Sequence, residues 1–127
     1  MIKKFKLNIF KDNRGDLLKY LDNKKSFFKS FGETYFNEIK KNKLKGWIHH
    51  KKYTCLITVP YGKIELRYKK KINNKYKKII IGKKKYFLIL IPPKTWFSFK
   101  GISHLSIIAN TINGIHKDNE TLRLPIK

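Results

Sequence analysis

The stretch LKGWIHHKKYTCLITVPYGKIELRY, residues 44–68, indicates the fold of this chain. It divides into three short segments, 45–50, 53–59 and 63–68, that are rich in the β-branched and aromatic residues typical of strands. The last two segments are joined by a Pro-Tyr-Gly turn at hairpin spacing. The stretch therefore predicts consecutive antiparallel strands.

The two adjacent histidines of the first segment, His49 and His50, are its clearest candidates for functional residues. Side chains of a strand alternate between its two faces, so Ile48 and His50 should share one face and His49 and Trp47 the other. We predict that His50 points into the fold and that His49 points outward, unless a bulge near Gly46 changes the register.

The rest of the chain continues the same pattern. Further strand-like segments are separated by polar turns, Gly82, Pro92-Pro93 and Gly101, and they cover residues 5–10, 34–39, 79–82, 86–91, 95–99 and 104–112. Residues 16–28 also allow a helix. We predict a single all-β domain over residues 1–127, an antiparallel sandwich or barrel, with residues 116–125 packed over it as an irregular arm.

The net charge of +23 suggests nucleic acid as a partner, but the kind of charge argues against it. Arg14, Arg67 and Arg123 are the only arginines, and the other basic residues are lysines spread along the chain. Nucleic-acid readers favour arginine, whose planar group binds phosphate and guanine in a bidentate manner. The lysines are better explained as a solvated surface that attracts small anionic substrates.

The composition also indicates the cellular compartment. A single cysteine, Cys55, excludes a disulfide framework, and no apolar run reaches the length of a membrane span. The first ten residues lack the pattern of a signal peptide. We therefore expect a cytoplasmic protein with no membrane association.

Two stretches resemble the RmlC-like cupins, a family that includes dTDP-4-dehydrorhamnose 3,5-epimerases and nucleotide-sugar 3,4-ketoisomerases. KGWIHHKK, residues 45–52, is similar to the family's RGxHxH stretch, and IPPKTWFSF, residues 91–99, is similar to its IPPGxxHGF stretch. The resemblance runs from KDNRGD at residue 11 to the C-terminal arm. It implies a cupin-type jelly-roll barrel of antiparallel strands, a homodimer, no metal or other cofactor, and a nucleotide-linked 4-keto-6-deoxysugar bound in the barrel mouth.

An enzyme of this kind removes a proton next to a ketone and returns one elsewhere. Histidine suits the base, because it titrates near neutral pH, and lysine or arginine can stabilise the enolate. The resemblance makes His50 the candidate base, Lys45 the candidate cation and His49 a further catalytic candidate. Its candidate substrate contacts are Asn37 and, on the same face, Tyr35. Trp96 is a further candidate by stacking on the nucleotide base, and Arg67 is another, on a face that is either solvated or lines the pocket.

The sequence departs from the family at several catalytic positions. The family's first histidine falls on Ile48, its lysine on Cys55, its later histidine on Phe97 and its tyrosine acid on Ile108. A metal is not expected, because adjacent strand histidines cannot bind one ion together and no acidic residue lies between Lys51 and Ile64.

Three functions remain open from the sequence. The first is an epimerase or isomerase of a nucleotide-linked ketosugar, of the 3,5-epimerase or 3,4-ketoisomerase type. The second is a non-catalytic cupin that binds a sugar nucleotide or a protein partner. The third, least favoured by the residues, is a basic β-barrel that binds nucleic acid.

Overall fold

The computed structural model describes residues 1–115 and 120–125, and this part of the chain contains strands and turns but no helix. Accordingly, none of these residues forms a helix that could cross a membrane. The strands are β1 (Lys3–Lys6), β2 (Ile9–Phe10), β3 (Leu17–Leu18), β4 (Glu33–Lys40), β5 (Leu44–His50), β6 (Cys55–Tyr61), β7 (Lys63–Lys69), β8 (Lys77–Gly82), β9 (Phe87–Ile91), β10 (Trp96–Gly101), β11 (Leu105–Ile112) and β12 (Thr121–Arg123).

Ten of these strands form two facing sheets. The first sheet has the order β1-β9-β6-β11-β4 and the second has the order β12-β5-β10-β7-β8, while β2 and β3 form a separate hairpin. Neighbouring strands in both sheets are antiparallel. The predicted all-β antiparallel architecture is confirmed.

The core lies between the two sheets and is made of inward side chains from both. The side chains of β7 alternate between the core and the outer face. Ile64 and Leu66 are fully buried, while Glu65 and Arg67 face outward. Ile57, Val59 and other fully buried aliphatic residues of the first sheet pack against them. Burial of this apolar surface is the main force that holds the sheets together.

The C-terminal arm differs from the prediction of an irregular segment. Thr121–Arg123 adds β12 to the edge of the second sheet, where it pairs with β5 from His50 to Ile48. Its sequence is too short and polar to show a strand pattern, and the pairing comes from the unpaired edge of β5. The arm's first residues, 116–119, lie outside the described part of the chain.

A bulge in β5 changes which of its residues face inward. Phe97 pairs with Ile48 and Ser98 pairs with Gly46, so that Trp47 is an extra residue between them. Beyond the bulge Lys45 lies opposite Phe99. The bulge therefore brings Lys45 to the inner side of the sheet, while His50 remains inward as predicted.

Gly46 is required at this bulge for two reasons. Its φ of +118° is one that residues with a side chain rarely adopt. A Cβ atom would lie 2.8 Å from both the carbonyl oxygen of Phe97 and the Cβ of Ser98. The close approach of β5 and β10 thus depends on the absence of a side chain.

We expect Gly46→Ala to lower the free energy of unfolding by about 1–3 kcal/mol, because it combines backbone strain with a clash. Gly15→Ala is the matched control, since Gly15 also has a positive φ, of +132°, but a Cβ atom there would have no neighbour within 4 Å. Urea unfolding of both variants measures the difference. Equal losses would show that the clash at β10 contributes nothing.

Candidate active site

A cavity of about 400 Å³ opens between the two sheets at the edge where β4 and β12 lie. Its walls come from β4 and β11 on one side and from β5, β10 and β12 on the other. The lining residues are Glu33, Tyr35, Phe36, Asn37, Ile48, His50, Phe97, Phe99, Ile108, Asn110, Ile112 and Arg123. Six of these residues are apolar and six carry polar or ionisable groups, so the cavity offers both kinds of contact to a small molecule.

His50, at the end of β5, is a titratable group that lines this cavity. The residue is 7% exposed, and its Nδ1 lies 2.7 Å from Oε1 of Glu120. The Thr121 hydroxyl donates to the same carboxylate oxygen at 2.9 Å and lies 3.1 Å from Nδ1 of His50. The imidazole is therefore fixed in position by a buried carboxylate.

The other oxygen of Glu120 ties this pair to the turn after β5. The backbone amides of Lys52 and Tyr53 donate to Oε2 at 2.9 Å and 3.0 Å. Burial acts to raise the pKa of the Glu120 carboxyl, but these amides and the side chains of His50 and Thr121 outweigh it. The net result lowers the pKa from 4.5 to about 2, so Glu120 is ionised at neutral pH.

An ionised Glu120 selects one tautomer of the neutral imidazole. Nδ1 of His50 carries the proton and donates it to the carboxylate, because the carboxylate can only accept. The lone pair of the imidazole is then on Nε2. A histidine oriented in this way by a carboxylate has the arrangement of a general base.

His49 lies on the opposite face of β5, outside the cavity lining. The centre of its ring lies 4.8 Å from that of the Trp96 ring, at an interplanar angle of 45°. Burial lowers the pKa of His49, which favours the neutral imidazole. The two histidines of the doublet are thus in different environments, one in the cavity and one in an aromatic contact on the outer face.

Lys45 and Asn37 lie together at the rim of the cavity. The Lys45 ammonium donates to Oδ1 of Asn37 at 2.7 Å and to the Glu38 carbonyl oxygen at 2.7 Å. Asn37 lines the cavity, whereas the Lys45 side chain lies in an adjoining groove with Phe36. The contact joins β5 to β4 across the opening between the sheets.

Arg67 and Trp96 lie outside the cavity, on the outer face of the second sheet. Arg67 Nε donates to Oε2 of Glu65 at 2.6 Å, and its guanidinium lies 4.9 Å from the centre of the Tyr76 ring. The structure therefore does not bring these two residues together with His50. Tyr35, by contrast, faces the cavity from β4 and accepts a hydrogen bond from Asn110.

Apolar side chains occupy the positions where the resemblance places other catalytic groups. Ile48, Phe97 and Ile108 all line the cavity, and the latter two are almost fully buried. Cys55 is fully buried in the core, and burial raises the pKa of its thiol to about 12. That pKa keeps Cys55 protonated and unsuited to act as a nucleophile.

The sequence reasoning missed Glu120 and Arg123, which the C-terminal strand brings to the site. Glu120 is 70 residues from His50 in the chain, so no local spacing connects them. One signal was present, since acidic residues are rare in this chain and only Asp118 and Glu120 follow Glu65 in the sequence. Among the described residues, no group of three His, Cys, Asp or Glu side chains is placed to hold a metal ion.

No protein-family model matches the sequence, and no curated protein matches it. Solved structures do match. A dTDP sugar isomerase from Desulfovibrio desulfuricans G20 superposes with a TM-score of 0.91 at 26% identity, over 98% of this chain and 83% of that one. The RmlC dTDP-6-deoxy-D-glucose-3,5-epimerase of Legionella pneumophila superposes with a TM-score of 0.84 at 15% identity, over 97% of this chain and 72% of that one.

The 3,4-ketoisomerase QdtA of Thermoanaerobacterium thermosaccharolyticum has a TM-score of 0.81 at 17% identity, over 97% of this chain and 88% of that one. The chain has the RmlC-like cupin fold. The jelly-roll barrel predicted from KGWIHHKK and IPPKTWFSF is confirmed. In this fold His50 lines the cavity between the sheets, and its partner Glu120 is buried beside it.

We expect the buried Glu120 carboxylate to make stability depend on pH. Its pKa in the folded chain is about 2, against 4.5 for the free group, so its contribution is complete above pH 4.5 and is lost as the pH falls towards 2. Glu120→Gln should therefore cost about 3 kcal/mol at pH 7 and flatten the loss of stability in that range.

Glu38→Gln, at an exposed position of β4, is the matched control, because it removes a carboxylate that takes no part in the hydrogen bonds around His50. Chemical unfolding of the three proteins between pH 2 and 7 measures the effect. Parallel curves for the wild type and Glu120→Gln would contradict the ionised, hydrogen-bonded state of Glu120.

Proposed function

We propose that this chain is an epimerase or isomerase that acts on a nucleotide-linked 4-keto-6-deoxysugar, in the biosynthesis of deoxysugars or cell-surface polysaccharides. The observation that carries the proposal is the buried His50–Glu120 pair, which presents an imidazole inside a barrel cavity. The similar solved structures support the substrate class, since they are described as a dTDP sugar isomerase, a dTDP-sugar epimerase and a sugar 3,4-ketoisomerase.

His50 acts as the base in this proposal. Nε2 takes the proton from the carbon next to the ketone, and the imidazolium that forms is stabilised by the ionised Glu120. The resulting enolate needs positive charge or hydrogen-bond donors near its oxygen. Side chains of the protein can supply the positive charge and the hydrogen-bond donors, and proton removal does not need a metal.

Polar residues around the opening would bind the substrate. Arg123 lines the cavity from β12 and offers a planar cation to the diphosphate. Asn37 and Tyr35 offer hydrogen bonds to the sugar from β4, with Lys45 adding positive charge at the rim. We assign no role in this cavity to His49, Arg67 or Trp96, because they lie on the outer face of the second sheet.

The proposal includes the homodimer that the resemblance implies and the cytoplasmic location expected from the composition. Apolar side chains of the C-terminal segment at the edge of the second sheet, Leu122 and Leu124, are 42% and 41% exposed and offer a surface that a second copy could cover.

A non-catalytic cupin that binds a sugar nucleotide is the second candidate. The observation in its favour is that Ile48, Phe97 and Ile108 line the cavity where the resemblance places polar catalytic groups. Apolar walls allow binding of a sugar but add no proton donor or acceptor. The two candidates differ in whether His50 exchanges a substrate proton.

We expect the wild type to incorporate solvent deuterium next to the ketone of dTDP-4-keto-6-deoxyglucose, and His50→Asn to lose about 100-fold or more of this rate. His49→Asn is the matched control and should keep the rate within about three-fold, because that residue lies outside the cavity. Mass spectrometry of the sugar in D₂O measures exchange, and calorimetry with dTDP measures binding.

Binding of dTDP by a wild type that shows no exchange would favour the non-catalytic cupin. Exchange by His50→Asn at the wild-type rate would show that another group is the base.

A further inference from the structure

Asn110 on β11 is a buried polar residue in the wall of the cavity. It lines the cavity from the first sheet and is 5% exposed. Asparagine is depleted in strands, and both ends of a buried amide need hydrogen bonds. The packing of the first sheet therefore gives no reason for an asparagine at this position.

The amide nitrogen of Asn110 has a partner on the same wall. Nδ2 donates to the hydroxyl oxygen of Tyr35 at 3.0 Å. Tyr35 lies directly opposite Asn110 in the register of β4 and β11, so this bond joins neighbours on one face of the sheet. Because the two ends of a planar amide diverge, the bond directs Oδ1 of Asn110 away from Tyr35.

The amide oxygen has no such neighbour. Oδ1 is buried and accepts no hydrogen bond from the described residues. The residue opposite Asn110 on β6 is Ile57, and the residues before and after it on the same face of β11 are Ile108 and Ile112. None of these three side chains has a hydrogen-bond donor. The cavity is therefore the side from which a donor can reach Oδ1.

The proposed substrate limits the groups that could act as this donor. The ketone oxygen and the ionised diphosphate only accept hydrogen bonds. The sugar ring of a 4-keto-6-deoxyhexose has free hydroxyls only on carbons 2 and 3. His50 must reach a carbon next to the ketone from the opposite sheet, and carbon 3 is the one of these two carbons that bears a hydroxyl.

We propose that Asn110 is a specificity-determining residue whose Oδ1 accepts a hydrogen bond from the hydroxyl on carbon 3 of the sugar, an inference that rests on the proposed function. This bond gives the buried oxygen a partner in the complex. A sugar without that hydroxyl leaves Oδ1 unpaired in a cavity from which the ligand has displaced water. The site therefore selects 3-hydroxy sugars over 3-deoxy sugars.

Two ligands that differ only at carbon 3 test this selectivity. They are dTDP-6-deoxyglucose and dTDP-3,6-dideoxyglucose, which carry a hydroxyl in place of the ketone and so do not react while calorimetry measures Kd. We expect the wild type to bind the 3-deoxy ligand about 10-fold or more weakly. A third ligand, dTDP-2,6-dideoxyglucose, should bind within about three-fold of the first, because it keeps the hydroxyl on carbon 3.

Variants of the wall show which atom causes the preference. Asn110→Leu removes the acceptor with little change of shape, and it should reduce the preference to about two-fold or less by weakening binding of the 3-hydroxy ligand. Asn110→Asp keeps an oxygen acceptor and should keep the preference. Tyr35→Phe removes the partner of Nδ2 and leaves Oδ1, so it should also keep the preference even where both ligands bind more weakly.

Asn73→Leu is the control outside the cavity. Asn73 is exposed in the turn between β7 and β8, and both Kd values should stay at those of the wild type.

Equal binding of the 3-hydroxy and 3-deoxy ligands by the wild type would overturn the inference and leave the proposed function intact. So would loss of the preference in Tyr35→Phe, because the phenol would then be the partner of the hydroxyl. Failure of the wild type to bind dTDP or any of the three ligands would overturn the proposed function itself, and this inference with it.

Discussion

The carboxylate of Glu120 accepts four hydrogen bonds inside the protein, and the candidate site depends on them. Two come from the backbone amides of Lys52 and Tyr53, and two come from the side chains of His50 and Thr121. These bonds connect the C-terminal strand, the end of β5 and the turn that follows it. A single buried charge thus fixes the imidazole, its tautomer and the edge of the second sheet. Loss of one partner of such a buried pair is costly, because the remaining group stays out of water.

The cavity combines this polar pair with walls that are partly apolar. Ile48, Phe97 and Ile108 line the same cavity as His50, and apolar surroundings strengthen electrostatic contacts within a site. The first sheet adds Tyr35, whose hydroxyl oxygen accepts a hydrogen bond from Asn110, on the opposite wall. The fold alone does not provide this chemistry, because the same barrel could present apolar residues at both places.

Most of the fold could be predicted from the sequence, because alternating strands and their turns leave a local pattern. The segment 63–68 showed its alternation directly, and β7 has the same bounds to within one residue. The inward direction of His50 also followed from alternation. The pairing of His50 with Glu120 did not, since it joins residues far apart in the chain and β12 has no strand pattern of its own. The bulge at Trp47 could be anticipated only as an option near Gly46, because bulges depend on the partner strand.

The outer face of the second sheet shows the limit of reasoning from residue type. Arg67 and Trp96 suit a nucleotide by their chemistry, yet their strand positions turn them away from the cavity. Tyr35 and Asn37 suit a sugar equally well and do face it. Residue type therefore suggested the candidates, and the register of the strands separated them.

The tautomer of His50 tests the central claim most directly. Nitrogen-15 NMR of the imidazole at neutral pH measures which ring nitrogen carries the proton. We expect a protonated Nδ1, bonded to Glu120, and an unprotonated Nε2 in the neutral ring. Glu120→Gln should remove this preference. A neutral ring with its proton on Nε2 in the wild type would contradict the assignment of His50 as the base.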